Sequence, residues 1–192
     1  MNYLMHLFLS NNDDVLVGNF IADSVKGNDV RKFSAEIAKG ILLHRKIDMF
    51  SDHHPVVLES IKRLRPLYHK YAGVAVDITY DHFLAVNFHQ YASLSLDDFA
   101  TYCYRVLLKN WYIIPWNVKL FLPFLIKHKR LQSYAKLNGI SNALSIMVKQ
   151  TSFPDKTVEM MHILKVHYDD FQSEFDAFFT DILSFVADES TK

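Results

Sequence analysis

The sequence is poor in several residue types that define protein classes. It has 192 residues but one cysteine, Cys103, so no disulfide can form within the chain, and we predict a reducing, cytoplasmic location. Lysine plus arginine number 21, as do aspartate plus glutamate, and this zero net charge gives no indication of nucleic-acid binding. No stretch has the uncharged length of a membrane span. We therefore expect neither nucleic acid nor membrane as a partner.

Glycine and proline are also scarce, at five each, and no Asn-Gly or Asp-Gly turn lies between alternating strands. Half of the residues are hydrophobic, and the hydrophobic positions recur mostly three and four residues apart, which is typical of helices. We predict an all-α fold in one domain, residues 1–192. The expected helices lie near residues 2–9, 14–26, 33–51, 55–70, 72–89, 96–110, 115–129 and 139–150.

The last apolar segment, residues 155–186, is the longest. Its hydrophobic side chains keep helical spacing throughout, which indicates either a core-facing stripe or a homodimer face on a C-terminal helix. The stripe consists of Met160, Met161, Leu164, Tyr168, Phe171, Phe175, Phe178, Phe179 and Ile182.

Acids and histidines interrupt two of the apolar helices. His44, Asp48 and Asp52 are four residues apart and so share one helix face. Asp77 and Asp81 share another face, on a segment that is apolar on nearly every side. Carboxylates are seldom buried unless they are paired or bound to a metal, so this second stripe requires a cationic partner.

A divalent metal ion would supply that positive charge. Imidazole and carboxylate together suit Mn²⁺, Fe, Zn²⁺ or Mg²⁺, and the lack of cysteine disfavours a structural zinc site. Ions of this kind suit phosphoester hydrolysis, because they polarise a phosphoryl group and generate hydroxide from water. The polar residues that interrupt apolar helices are His6, Asn19, Asp23, His44, Asp48, Asp52, Asp77, Asp81 and His82.

Each of these residues also has a purely structural interpretation. His6 could be a core histidine with satisfied hydrogen bonds, and Asp23 could pair with Lys26. Asp48 and Asp52 could form a solvated face, and the acids of the second stripe could pair with a buried arginine. Spacing alone leaves these alternatives open.

Two basic residues, Arg45 and Lys46, directly follow His44. They could dock an acidic partner or offset charge that develops on phosphoryl oxygens. The alternative is an ordinary solvated helix surface.

Four ordered motifs closely resemble the bacterial acyl carrier protein phosphodiesterases, which look like unusual members of the all-helical His-Asp (HD) phosphohydrolase superfamily. The resemblance is strongest over residues 1–90 and returns near residues 137–140 and 167–171. The sequence departs from the superfamily signature, since it contains no His-Asp dipeptide. The motifs are residues 1–6, residues 18–23 with Gly27, residues 40–48 with Asp52, and residues 77–84.

The resemblance implies hydrolysis of the phosphodiester that joins phosphopantetheine to a serine of acyl carrier protein, an acidic protein substrate of fatty acid biosynthesis. It also implies a divalent cofactor, typically Mn²⁺, and an HD-like helical bundle. Asp23 would be a ligand or would orient water. Our own hypothesis, apart from the resemblance, adds Arg45 and Lys46 as groups that offset phosphoryl charge. The metal ligands that we predict on this basis are His6, His44, Asp48, Asp77, Asp81 and His82.

Two other functions compete with this hypothesis. The same metal site could cleave a nucleotide or another small phosphodiester, which a panel of small substrates would reveal. The chain could instead be a non-catalytic helical module that binds a protein partner, in which case chelation would leave its stability unaltered.

Overall fold

The computed structural model describes residues 3–190, and these residues form α-helices joined by short 3₁₀ turns, which confirms the all-α prediction. None of the helices in this range is both long and apolar enough to span a membrane. The predicted first helix began at residue 2, which lies outside the described residues. The α-helices are α1 (Tyr3–Phe8), α2 (Asp13–Ile21), α3 (Ala35–His53), α4 (Pro55–Tyr68), α5 (Ala72–Val86), α6 (Phe88–Tyr91), α7 (Leu96–Lys109), α8 (Trp116–Lys127), α9 (Arg130–Ser133), α10 (Leu137–Gln150), α11 (Thr157–Val166) and α12 (Tyr168–Ser190).

Polar caps fix where several helices begin. The Asn12 side chain accepts a hydrogen bond from the amide of Val15 at the start of α2, and Ser34 does the same for Ile37 in α3. These bonds satisfy amides that have no partner within the helix. Pro55 opens α4, where its missing N–H and fixed φ cost nothing.

Helices α2 and α3 cross at two glycines. A Cβ built on Gly18 would lie 2.1 Å from the Ile37 carbonyl oxygen, and one on Gly40 would lie 2.2 Å from the Val15 carbonyl oxygen. No larger residue fits at this crossing, so the two backbones approach more closely than side chains would normally allow. Asn19 follows Gly18, and His44 lies one turn beyond Gly40, so the crossing brings these two side chains into contact.

Helix α5 lies at the centre of the molecule, in contact with α1, α4, α10 and α12. Its side chains are buried along most of its length, and the buried hydrophobic residues of the described chain form one contiguous cluster. Of the second acidic stripe, Asp81 is therefore fully buried, whereas Asp77 is half-buried.

The C-terminal segment is two helices rather than one, because α11 ends at Val166 and α12 begins at Tyr168. Helix α11 packs on α4 and α10, whereas α12 packs on α3, α4 and α5, and one straight helix could not reach both sets of neighbours. Most of the apolar stripe is buried inside the chain, including Phe175 and Phe179 at 0% exposure. The stripe is core, so a homodimer through α12, which stays a prediction, would have to use its outer face.

The helix predicted near residues 14–26 ends early, at Ile21. A 3₁₀ turn, Ala22–Ser24, follows it, and Gly27 then adopts a left-handed conformation with φ +45°. This change of direction carries Asp23 out of the helix and towards α3.

Candidate metal centre

Asn19 sets the orientation of His44. The Asn19 Nδ2 amide donates to the His6 backbone carbonyl at 2.7 Å, so its Oδ1 atom faces His44 Nδ1 at 3.0 Å. Because a carbonyl oxygen can only accept, His44 must carry a proton on Nδ1 and donate it to Asn19. This leaves Nε2 as the atom that His44 presents to the neighbouring carboxylates. A hydrogen bond of this type typically orients a metal-binding histidine.

Two carboxylates meet His44 Nε2, each at 3.2 Å: Asp23 from the 3₁₀ turn and Asp48 from the next turn of α3. Both acids are about half exposed, whereas the His44 side chain is only 9% exposed. Burial lowers the pKa of His44, but the hydrogen bonds with Asp23 and Asp48 outweigh burial and raise it to about 9. His44 is therefore protonated at neutral pH when no cation competes for its Nε2 atom.

The same contacts keep both acids ionised. The hydrogen bond from His44 lowers the pKa of Asp23. Burial alone would raise the pKa of Asp48, but hydrogen bonds from His44 and His6 hold it far below the usual value. Two carboxylates that are negative at neutral pH thus border a buried imidazole.

His6 completes the group from α1. Its ring stacks on the His44 ring with centroids 3.9 Å apart, and its Nε2 atom lies 3.2 Å from Asp48 Oδ1. Burial lowers its pKa, so it is neutral. Its buried Nδ1 atom has no hydrogen-bond partner among the described residues. A buried ring nitrogen without a partner in native protein calls for an explanation such as a bound ion or water.

These side chains line a cleft of about 260 Å³ between α1, α3 and the start of α5. Asp77 of α5 also lines the cleft; it is half-buried, and burial raises its pKa. Asp52 and Lys70 lie at its exposed rim. The cleft thus combines a buried imidazole pair with four carboxylates.

The donor set fits a divalent ion. Within the described chain, His6, His44 and Asp48 each offer a ligand atom, and these atoms lie within 4.8 Å of one another. Two imidazoles with a carboxylate, and with Asp23 and Asp77 beside them, form the mixed nitrogen and oxygen set that Mn²⁺, Fe or Zn²⁺ accepts.

Asp81 and His82, both predicted as ligands, are not brought to this cleft. The Asp81 carboxylate accepts hydrogen bonds from the amides of Leu4 at 3.1 Å and Met5 at 2.9 Å, so it caps the N-terminus of α1. Burial raises its pKa to about 8. Asp81 therefore fixes the helix that carries His6, which is an indirect contribution to the site.

His82 is satisfied elsewhere in the core. Its Nδ1 atom donates to the Tyr134 carbonyl at 2.7 Å, so its Nε2 atom accepts from the Tyr168 hydroxyl at 2.9 Å. Burial lowers its pKa, which keeps the ring neutral. Both ring nitrogens are used, and neither is free for a metal in this arrangement.

Of the basic residues, Arg45 donates to the Val25 carbonyl at 2.8 Å, and Lys46 pairs with Glu189. Neither lines the cleft. Lys70 does, and it was not among the predicted site residues. It follows His69, whose φ of +47° ends α4 abruptly, and a turn of that kind has no clear sequence signal.

The fold and cleft define an all-α protein that gathers histidines and carboxylates into one candidate metal centre. A family model described as "Acyl carrier protein phosphodiesterase" matches residues 1–182. The chain belongs to that family.

Relatives that carry the name "Acyl carrier protein phosphodiesterase" align with the chain over nearly its whole length. The protein from Yersinia enterocolitica is 30% identical over 191 residues, covering 98% of this chain and 99% of its own. The Photorhabdus laumondii protein is 30% identical, covering 93% and 91%, and the Klebsiella pneumoniae (strain 342) protein is 30% identical, covering 95% and 96%. No solved structure matches the chain.

Proposed function

We propose that this protein hydrolyses the phosphodiester between phosphopantetheine and a serine of acyl carrier protein, with a divalent ion as cofactor. Its family and the names of its relatives support the reaction. The observation that carries the metal dependence is the convergence of His6, His44 and Asp48 within 4.8 Å. Asp23 and Asp77 are the further carboxylates that could complete the ligand set.

Side chains around the candidate metal centre have two kinds of role in this reaction: some position the histidines, and others act on water or phosphate. Asn19 and Asp81 hold the two histidines in place, since one bonds His44 Nδ1 and the other caps the helix of His6. Asp23 is half exposed and ionised, so it can accept a hydrogen bond from the attacking water and orient it towards phosphorus. Lys70 at the rim can offset charge on the phosphoryl oxygens.

In the overall reaction, the water oxygen bonds to phosphorus as the bond to the serine oxygen breaks. One proton leaves the water and one reaches the serine oxygen, which gives apo-carrier protein and phosphopantetheine. A bound divalent ion would supply Lewis-acid activation of phosphate and water. Manganese as that ion, kinship with the HD superfamily and a cytoplasmic location belong to the same proposal.

Intact-mass spectrometry tests this function. Holo-acyl carrier protein is incubated with the protein and Mn²⁺, with a parallel chelator control. We expect loss of the phosphopantetheine mass only when metal is present. Asp48→Asn should abolish the loss, whereas Asp97→Asn, a matched change at an exposed position on α7, should not.

Other results would redirect the proposal. An unchanged carrier protein, with metal shown to bind, would discard this substrate and favour another phosphodiester. Cleavage that persists in the chelator would refute metal dependence.

A further inference from the structure

A second cavity adjoins the candidate metal centre. It encloses about 240 Å³ between α2, α8 and α10, and Asp23 lines both it and the metal cleft. Its wall is largely apolar, with Phe20, Phe121 and Met147 among the lining side chains. A substrate whose phosphorus lies beside Asp23 could thus extend directly into an apolar chamber.

One cation lines this cavity. Arg130 is only 8% exposed, and no carboxylate among the described side chains pairs with its guanidinium. Its guanidinium carbon lies 6.0 Å from the centroid of the Tyr134 ring. The residue is mostly buried and lines the cavity, so its guanidinium can donate hydrogen bonds to an acceptor that a ligand brings there.

The short helix that carries Arg130 is held firmly. Lys129, just before it, adopts a left-handed conformation with φ +45°, which is unfavourable for a residue with a Cβ. The Tyr104 hydroxyl accepts from the Leu131 amide at 3.2 Å and donates to Gln132 at 2.9 Å. These contacts fix the backbone of α9 at the point where the Arg130 side chain enters the cavity lining.

Resting on the proposed function, we infer that this cavity binds the pantetheine arm of the carrier-protein substrate, with Arg130 donating to an amide carbonyl of the arm. The arm begins at the phosphate, carries two methyl groups and then two amides, and ends in a thiol. Its methyl and methylene groups match the apolar wall, and its amide oxygens are acceptors for one guanidinium. The shared position of Asp23 matches an arm that starts at the scissile phosphate.

Two substitutions test the assignment. Ala143 lines the cavity from α10, so Ala143→Leu places three more carbons in the space assigned to the arm. Arg130→Met removes the charge but keeps an unbranched side chain. Ala177→Leu makes the same alanine-to-leucine change at an exposed position on α12 and serves as the control. Thermal melting confirms that each variant folds.

The readout is kcat/KM for holo-acyl carrier protein divided by kcat/KM for bis(4-nitrophenyl) phosphate, a diester with no pantetheine arm. We expect this ratio to fall about 10- to 100-fold in Arg130→Met, as for a lost hydrogen bond to a charged group, and also to fall in Ala143→Leu. Ala177→Leu should keep the wild-type ratio.

The outcomes separate the two proposals. If wild-type protein leaves holo-acyl carrier protein intact, the proposed function fails and the arm assignment falls with it. If wild-type protein cleaves the carrier but folded Ala143→Leu and Arg130→Met keep its ratio, only the arm assignment is overturned.

Discussion

Asn19 is the residue whose replacement tests the architecture of the site most fully. It is completely buried, and its amide joins the backbone of His6 to the ring of His44. Asn19→Leu keeps a similar volume but removes these two bonds and a third, from Asn19 Nδ2 to Ser10 Oγ at 3.2 Å. The His44 Nδ1–H would lose its partner at a cost of about 1–3 kcal/mol, and the lost bond to the His6 carbonyl adds about 1 kcal/mol.

We therefore expect the free energy of unfolding of the metal-free protein to fall by about 2–4 kcal/mol. Since the imidazole loses the group that orients it, Mn²⁺ affinity should fall about 10- to 100-fold. Urea unfolding and isothermal titration calorimetry measure the two quantities.

Asn142→Leu, at an exposed position on α10, is the control and should change neither quantity appreciably. A folded Asn19→Leu protein that binds Mn²⁺ as tightly as wild type would refute the claim that Asn19 orients a metal ligand. A loss of stability alone would leave Asn19 as a core residue.

Three further predictions concern the support and charge of the site. Asp81→Asn keeps one acceptor for the N-terminus of α1 and loses the other, so calorimetry should show a partial, about 10-fold loss of Mn²⁺ affinity; complete loss would make Asp81 a direct ligand. Gly40→Ala should destabilise the protein by about 3 kcal/mol or more in urea unfolding, because its Cβ would meet the Val15 carbonyl, whereas Gly73→Ala has room and should not. The raised pKa of His44, about 9, predicts that Mn²⁺ affinity rises about tenfold per pH unit towards pH 9, since the ion displaces a proton; a flat profile would exclude His44 as a ligand. In the metal-free protein, protonated His44 stabilises the folded state. This contribution is fully present below about pH 6.5 and is lost as the pH rises through 9, so the melting temperature should fall across that interval.

Periodicity predicted most of the helices, although the segment 155–186 is two helices and the helix near 14–26 ends early, at Ile21. Helical spacing placed His44 and Asp48 on one face of one helix, and the structure keeps them 3.2 Å apart. Such a pair can be predicted from the local sequence, because residues four apart on a helix are neighbours wherever that helix lies in the fold.

Asp81 and His82 show that helical spacing does not identify the partners of a buried polar residue. Their burial indicated a need for partners, but those partners are the amides of Leu4 and Met5 for the acid, and Tyr134 and Tyr168 for the histidine. They lie more than 50 residues away along the chain, and only tertiary packing brings them close. Burial of a polar residue indicates that it has a partner, but it does not show whether that partner is an ion or another part of the protein.

Asn19 and Lys70 illustrate two other limits. Asn19 stood out as a polar residue in an apolar helix, but its role depends on the α2–α3 crossing at Gly18 and Gly40, which no local pattern encodes. Lys70 reaches the cleft through the turn at His69, whose positive φ is uncommon for any residue with a Cβ and is not predicted by the local sequence.

We propose above that His6, His44 and Asp48 hold a divalent ion. The most direct test is a crystal structure of the protein grown with Mn²⁺, with anomalous scattering used to locate the metal. We expect an anomalous peak within coordination distance of all three side chains, with His44 Nε2 as one ligand. A peak beside Asp81 and His82 instead, or no peak in this cleft at saturating Mn²⁺, would contradict it.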